Sequence, residues 1–293
     1  MGGVDASVHA GIAALERHGH TVADVGRPRV NLADRSVFDA TVDGRAAVVK
    51  VDSVPARSAR ETAALRLIRD RAIPVPEPLH HIDPVGADPA VLVLARIDGT
   101  ALSGHLSSAT WREAGFALRR IHATLPSPEF GEPRPLREHV EEWHEREMRR
   151  SSDNGLLTMA HRHAIHGLLS PVWQAMAEAP QCLVHGDAQA EHFLIGPDRR
   201  IAAVVDFADA HVGDPVCDLA VLTLDHPGQL DAVLSGYRPA RSTRERIAAL
   251  IEPYRILRRV AAANWMRDNG LDPTAHLDAL RARVPTEPRT IRM

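Results

Sequence analysis

Apolar and polar positions along this chain follow two periods, and the change from one to the other divides it. Up to residue 95, short apolar runs at 25–30, 37–42, 46–51, 79–82 and 90–95 read as strands, bounded by Gly, Pro, Asn and Asp. Two stretches keep a helical period instead, 8–18 and 56–71, the second through Ala59, Ala63, Leu67 and the pair Ala64 and Leu65. Pro74, Pro76 and Pro78 separate that helix from the strands after it. From Thr100 onward helices dominate. Residues 111–125 place Ala114, Ala117, Leu118 and Ile121 on one face. Residues 135–150 set Glu138, Glu141, Glu142, Glu145 and Glu147 ahead of Arg149 and Arg150, in the order that suits a helix dipole and i,i+4 pairing. The pattern predicts an α+β protein with a small β-rich N-lobe over residues 1–95, a hinge at 96–100 and a larger, mainly helical C-lobe over 101–293.

Within the C-lobe, strands return where the chemistry is densest. The segment Leu183-Val184-His185-Gly186-Asp187-Ala188-Gln189-Ala190-Glu191-His192-Phe193-Leu194-Ile195 is followed by a turn at 196–200 and by Val204-Val205-Asp206-Phe207. Two apolar strands thus each deliver a carboxylate, and Asp187, His192 and Asp206 can converge on one small volume. Phosphoryl transfer needs such an arrangement: one carboxylate to orient the acceptor hydroxyl, and others to hold the divalent cation that neutralises the migrating charge. The spacing of Asp187 to His192 is that of the kinase loop H-R-D-x-x-x-x-N, and Asp206-Phe207-Ala208 stands where those enzymes carry D-F-G.

A second signal is independent. Lys50 is the only lysine among 35 lysines and arginines, and it lies near the end of the run Ala46-Ala47-Val48-Val49-Lys50-Val51. One lysine kept in so arginine-rich a chain points to a place where a planar guanidinium cannot replace a compact ammonium. The phosphate-binding lysine of kinase strand three is such a place, and Glu61 on the next helix is its expected partner. The plain alternative is a lysine snorkelling from a sheet edge.

Beyond Asp206 the chain reads Ala208-Asp209-Ala210-His211-Val212-Gly213-Asp214-Pro215-Val216-Cys217-Asp218-Leu219-Ala220. The whole stretch from Leu183 to Ala220 resembles the aminoglycoside phosphotransferase family, antibiotic kinases with a protein-kinase-like fold. The resemblance implies a two-lobed kinase-like fold, ATP or GTP with Mg2+, Asp187 as the catalytic aspartate, and Asp206 as the principal metal ligand. It also implies that Asp214 and Asp218 brace the catalytic loop and start the next helix. His192 stands where the family's usual Asn would coordinate a second metal; imidazole is a softer ligand, and the alternative role is a hydrogen bond within the loop. The same resemblance makes 96–99 the hinge, with backbone groups of Ala95 and Ile97 facing a purine edge. Trp143, Asp209, Asp225 and Asp268 become candidates for the acceptor side, although capping or surface exposure would explain each acidic one. His122 sits at the end of the helix before the catalytic core, where the helix dipole suits it.

The missing motifs narrow the choice. There is no G-x-x-x-x-G-K-[ST], and no G-x-G-x-x-G precedes Lys50. The phosphate cradle would then come from the turn at 31–36, with Arg35 or Ser36, though an ordinary polar hairpin turn looks similar.

Composition alters little. With 293 residues and 44% hydrophobic content the chain can bury a substantial core, and its length suits two lobes. A net charge of −3 gives no reason to expect nucleic acid or an anionic membrane. No apolar stretch reaches the about 20 residues that span a bilayer. The first residues carry no basic-then-apolar leader and no myristoylation pattern, so a cytoplasmic enzyme is expected, with no obligate protein partner evident. Cys182 and Cys217 form no C-x-x-C pattern and read as buried thiols rather than a disulfide or metal site. The expected activity is transfer of the γ-phosphate of ATP or GTP to a hydroxyl of a small-molecule antibiotic, an aminoglycoside, macrolide or similar compound. The rivals are a metabolic kinase of the same fold, acting on an amino sugar or choline-like alcohol, and a nucleotide-binding pseudokinase.

Overall fold

The computed structural model describes residues 4–69, 71, 73–86, 88–125, 127, 130 and 136–284. Helix α1 (Val4–Arg17) leads into short strands β1 (Val22–Ala23) and β2 (Val30–Asn31), then the hairpin β3 (Arg35–Val42) and β4 (Arg45–Asp52). After α2 (Pro55–Arg69) come β5 (Pro78–Ile82) and β6 (Ala90–Ala95). These strands form one antiparallel sheet in the order β1-β3-β4-β6-β5, with β2 against β3. The strand expected over 25–30 is mostly irregular. Arg27-Pro28 interrupts it, a proline having no N–H for a ladder; ahead of Val30, which pairs with Val37, Gly26 and Arg29 donate their amides to β3 at 2.8 and 2.7 Å.

The sheet is covered on both faces, which explains its continuous apolar runs. Val91 and Val93 of β6 join Phe38, Val49, Val51 and Leu15 under α1. Leu92 and Leu94, on the opposite face, join Leu65 and Ile68 of α2 in the core that continues into the C-lobe. The same alternation operates in β4. Ala47, Val49 and Val51 point to α1, so Lys50 points the other way, toward α2. Sequence period alone therefore aims the ammonium at Glu61.

The C-lobe starts with β7 (Thr100–Ala101) and continues through α3 (Ser108–His122), α4 (Leu136–Asp153), α5 (Met159–Leu169) and α6 (Trp173–Ala177). Its strands follow: β8 (Cys182–Val184), β9 (Phe193–Ile195), β10 (Ile201–Val204) and β11 (His211–Gly213). β9 lies between β7 and β10, and β11 pairs with β8. The last helices are α7 (Pro215–Leu222), α8 (Leu230–Tyr237), α9 (Arg241–Asp268) and α10 (Thr274–Arg283). The helix expected from residue 135 begins outside the described residues at that position, and the helix of 56–71 ends at Arg69. Cys182 and Cys217 are free and half-buried. No described helix is long and apolar enough to cross a membrane. Among the hydrogen bonds that join the lobes, Val204 donates its amide to the Pro74 carbonyl at 2.9 Å, and Arg60 of α2 donates to the Ala208 carbonyl at 3.1 Å.

Candidate active site

The loops that follow β8 and β10 meet beside the N-lobe. The loop after β8 carries His185, Gly186 and Asp187; the loop after β10 carries Val205 and Asp206. His185 ties them together, its Nε2 lying 2.9 Å from the Val205 carbonyl. Burial holds this imidazole below its usual pKa, so it serves as a neutral strut. Gly186 has φ +81°, and a Cβ there would stand 2.0 Å from the Asp209 carbonyl oxygen. Only glycine suits that turn.

Beneath the first loop lies Asp218 of α7, fully buried. Its two oxygens accept from the amides of His185 and Gly186 at 2.7 and 3.0 Å and meet His122 Nε2 at 3.0 Å, while His122 Nδ1 faces the Tyr237 hydroxyl at 2.9 Å. Burial alone would raise this carboxyl; the hydrogen bonds it shares with His122 and with the His185 amide outweigh it and hold Asp218 below the usual range. His122 thus acts through a side-chain chain of contacts rather than through the dipole of its own helix. Asp214 caps α7 through the Val216 amide at 2.9 Å and is held by Arg246 and by the Tyr254 hydroxyl at 2.8 Å. Asp218 thus braces the loop, and Asp214 starts the helix that follows.

Above the loops, Lys50 Nζ lies 2.8 Å from both oxygens of Glu61 and 2.8 Å from Oδ1 of Asp206. Glu61 is 2% exposed. Burial opposes the ammonium charge, but the carboxylates of Asp206 and Glu61 overcome it and hold Lys50 above its ordinary pKa. Burial likewise opposes the Asp206 charge, and the Lys50 ammonium, through its charge and its hydrogen bond, overcomes it, so this carboxyl sits well below the usual range. Glu61, the most enclosed, is pushed up by burial against the pull of Lys50. Asp206 adopts a left-handed backbone, φ 67° and ψ 62°, which turns its carboxylate out of the strand direction and toward Lys50.

His192 closes the circuit. Its Nδ1 is 2.7 Å from the Asp187 carbonyl, which makes that nitrogen the N–H donor and leaves a lone pair on Nε2, 3.6 Å from Asp206 Oδ2. Asp187 carries Gln189 Nε2 at 3.0 Å on both oxygens and Arg258 of α9 on Oδ1. Sequence reasoning missed Gln189 and Arg258. Arg258 gave no local signal, since it lies 71 residues from its partner in an arginine-rich helix.

The remaining candidates separate. Trp143 and Asp209 line a cleft of about 690 Å³ beside Gly186 and Arg258, together with Phe130, Val140, Arg60 and Arg146. Asp225 is outside that cleft, paired with Arg259 at 3.0 Å, and Asp268 pairs with Arg150 and Asn154 near the end of α9. Arg35, which begins β3, contributes positive charge toward Asp206. Ser36 is fully buried and its hydroxyl donates to Asn31 Oδ1 at 3.2 Å, so that side chain is engaged inside the turn. Ala95 ends β6 and donates its amide to the Glu77 carbonyl at 2.8 Å; Ile97 follows in the link between the lobes.

Known proteins share this fold. Aminoglycoside phosphotransferase APH(4)-Ia is 18% identical, with a TM-score of 0.72 over 97% of this chain and 99% of that one. Aminoglycoside 2'-phosphotransferase-IIIa, solved with GDP, is 14% identical with a TM-score of 0.73 over 95% and 99%. Spectinomycin phosphotransferase APH(9)-Ia, solved with ADP and spectinomycin, is 16% identical with a TM-score of 0.65 over 92% and 91%. These likenesses establish the kinase-like fold. No curated protein matches the chain in sequence. The model of the phosphotransferase enzyme family matches residues 26–250, and the chain belongs to that family.

Proposed function

We propose that this enzyme transfers the γ-phosphate of ATP or GTP to a hydroxyl of a small molecule, most specifically an antibiotic, in the cytoplasm where the nucleotide is kept. The observation that carries the reading is the junction of Lys50, Glu61 and Asp206, with Asp187 one histidine away.

In this mechanism Lys50, oriented by Glu61, neutralises the nucleotide phosphates, while Arg35 adds charge from the β2–β3 turn. The Ala95 carbonyl and the Ile97 amide hold the purine edge at the hinge. Asp206 would hold Mg2+, with His192 Nε2 beside it, and the cation would supply the positive charge that phosphoryl transfer needs. Mg2+ fits a hard carboxylate oxygen better than an imidazole nitrogen, so Asp206 is the principal ligand. Asp187 accepts a hydrogen bond from the acceptor hydroxyl. As the new O–P bond forms and the bond to the β-phosphate bridging oxygen breaks, the hydroxyl proton passes to Asp187. The transition state of such transfers is largely dissociative, so most of the protein's contribution is positioning and charge neutralisation.

A second reading, a metabolic hydroxyl compound as acceptor, is favoured by the cleft beside Asp187. Among its described lining residues Arg60, Arg146 and Arg258 outnumber the acidic Asp209 and Asp214; Asp214 is paired with Arg246, and Arg258 with Asp187. A polycationic aminoglycoside finds few partners there. Incubation of the purified chain with Mg2+, ATP or GTP and a panel of antibiotics and metabolic alcohols tests both readings, through nucleoside diphosphate release and a product mass increased by one phosphate. Transfer to no compound, together with absent nucleotide binding, would remove the kinase reading.

A further inference from the structure

At the far end of the N-lobe sheet three segments meet without any part in the phosphate machinery. His20 follows α1, Asp43 opens the two-residue turn Asp43-Gly44 between β3 and β4, and His80 lies on β5. Both turn residues have positive φ, 48° and 75°, as such a tight hairpin turn requires. The turn projects the Asp43 carboxylate between the two rings. Oδ2 is 2.9 Å from His20 Nδ1 and 3.1 Å from His80 Nε2. Oδ1 accepts from the Thr21 amide at 2.8 Å and the Thr21 hydroxyl at 3.3 Å, which fixes the carboxylate plane. The ring centroids are 3.9 Å apart with planes inclined by 38°.

One ligand atom from each residue lies within 4.8 Å of the other two. Tetrahedral zinc with bonds of about 2.0–2.1 Å sets neighbouring ligand atoms roughly 3.3 Å apart. The two nitrogen–oxygen separations of 2.9 and 3.1 Å are close to that spacing, and the two nitrogens lie within 4.8 Å of each other. Hydrogen bonding alone uses the same atoms but a different proton count: it needs an N–H on each facing nitrogen, whereas ligation needs a lone pair. Two imidazoles and one carboxylate oxygen suit zinc and its transition-metal neighbours, not magnesium or calcium, which prefer all-oxygen sets. Thr21 supplies the outer hydrogen bonds that orient a ligating carboxylate. Arg45, the nearby cation, is itself paired with Glu77 at 2.8 Å.

We propose that His20, Asp43 and His80 form a divalent transition-metal site, with zinc as its first candidate and solvent completing the tetrahedron. Lys50 stands six residues beyond Gly44 along β4, about 20 Å of extended strand. The ion would join the end of α1, the hairpin tip and β5, and stabilise the N-lobe without touching substrate.

The test is a calorimetric titration of zinc into the full chain without nucleotide, on the natural sequence and on the His20→Gln, His80→Gln double variant. Other histidines, His192 among them, can also take up zinc, so the difference between the two titrations assigns the site. The natural chain should bind one equivalent more, and His80→Gln alone should weaken that equivalent by about 10-fold or more. Zinc should raise the melting temperature of the natural chain and have a smaller effect on the double variant. Cobalt bound to the natural chain should give the strong visible absorption of a tetrahedral complex, a readout independent of how any variant folds. Equal stoichiometry and affinity in natural and variant chains, absence of zinc uptake by the natural chain, or octahedral cobalt spectra would each overturn the site.

Discussion

Arg258 of α9 donates to Oδ1 of Asp187, so a helix that lines the cleft beside Gly186 also grips the carboxylate next to it in sequence. Gln189 contacts both oxygens as well, and together the two side chains fix the plane in which Asp187 meets a hydroxyl. Arg258→Ala should lower kcat by about 10-fold through lost positioning, while the nucleotide KM stays near its original value. Arg258→Lys should recover only part, because an ammonium cannot reproduce the fixed fork of a guanidinium. Steady-state kinetics with either nucleotide decides the matter; an unchanged kcat would count against the positioning role.

Asp187→Ala should retain nucleotide affinity and lose turnover by about 100-fold or more, the usual scale of a general base. A variant with near-normal turnover would show that the proton goes elsewhere. Binding is read by calorimetry and turnover by diphosphate release, so the two effects separate.

Lys50→Ala acts on two levels. It should raise the nucleotide KM, and it should also lower stability, because Glu61 is 2% exposed and would lose the cation it faces. Breaking one side of a buried pair costs about 3–5 kcal/mol. The double variant Lys50→Met, Glu61→Leu should recover much of the stability and none of the nucleotide binding. Denaturant unfolding of the three chains measures the first, and nucleotide titration the second.

His144 of α4 is 6% exposed, and burial, with help from the neighbouring His166, lowers its pKa to about 4. An unfolded histidine titrates near 6.5, so the unfolded chain takes up the proton first. Stability from this residue is therefore complete above about 6.5 and is lost as pH falls toward about 4. His144→Phe should flatten the melting temperature across that window. A slope unchanged by the substitution would assign the dependence to other groups.

Asp218→Asn should disturb the catalytic loop more than its surroundings. The two loop amides and His122 all meet this carboxylate, and an amide side chain cannot accept from every one of them. A loss of kcat exceeding about 10-fold, with the nucleotide site intact, is expected, since small misplacements of a catalytic group are costly. Its depressed pKa also places part of the acid unfolding on this residue, with stability present above about 4 and lost as pH falls below.

Much of the fold was legible because its strands and helices carry clean periods. The run at 90–95 became β6 with the same bounds, and the alternation in 46–51 placed Lys50 opposite the residues under α1. The two loops were legible because Asp187 and Asp206 follow apolar strands at fixed spacing. What escaped were contacts between segments far apart in sequence, such as Arg258 with Asp187 and His122 with Asp218, which no local pattern encodes. The turn at 31–36 misled for another reason. Ser36 reads as a polar loop residue, yet pairing with β4 draws it into the sheet and buries it.

The ion pair between Lys50 and Asp206 has a last consequence for how ligands enter. In the proposed mechanism, a nucleotide without a cation would draw Lys50 away and leave Asp206 facing phosphate oxygens, two negative charges with nothing between them. A cation without nucleotide would displace the lysine and gain no phosphate oxygens in return. The free-energy gain is greatest when both arrive, so each should tighten the grip on the other by the same factor.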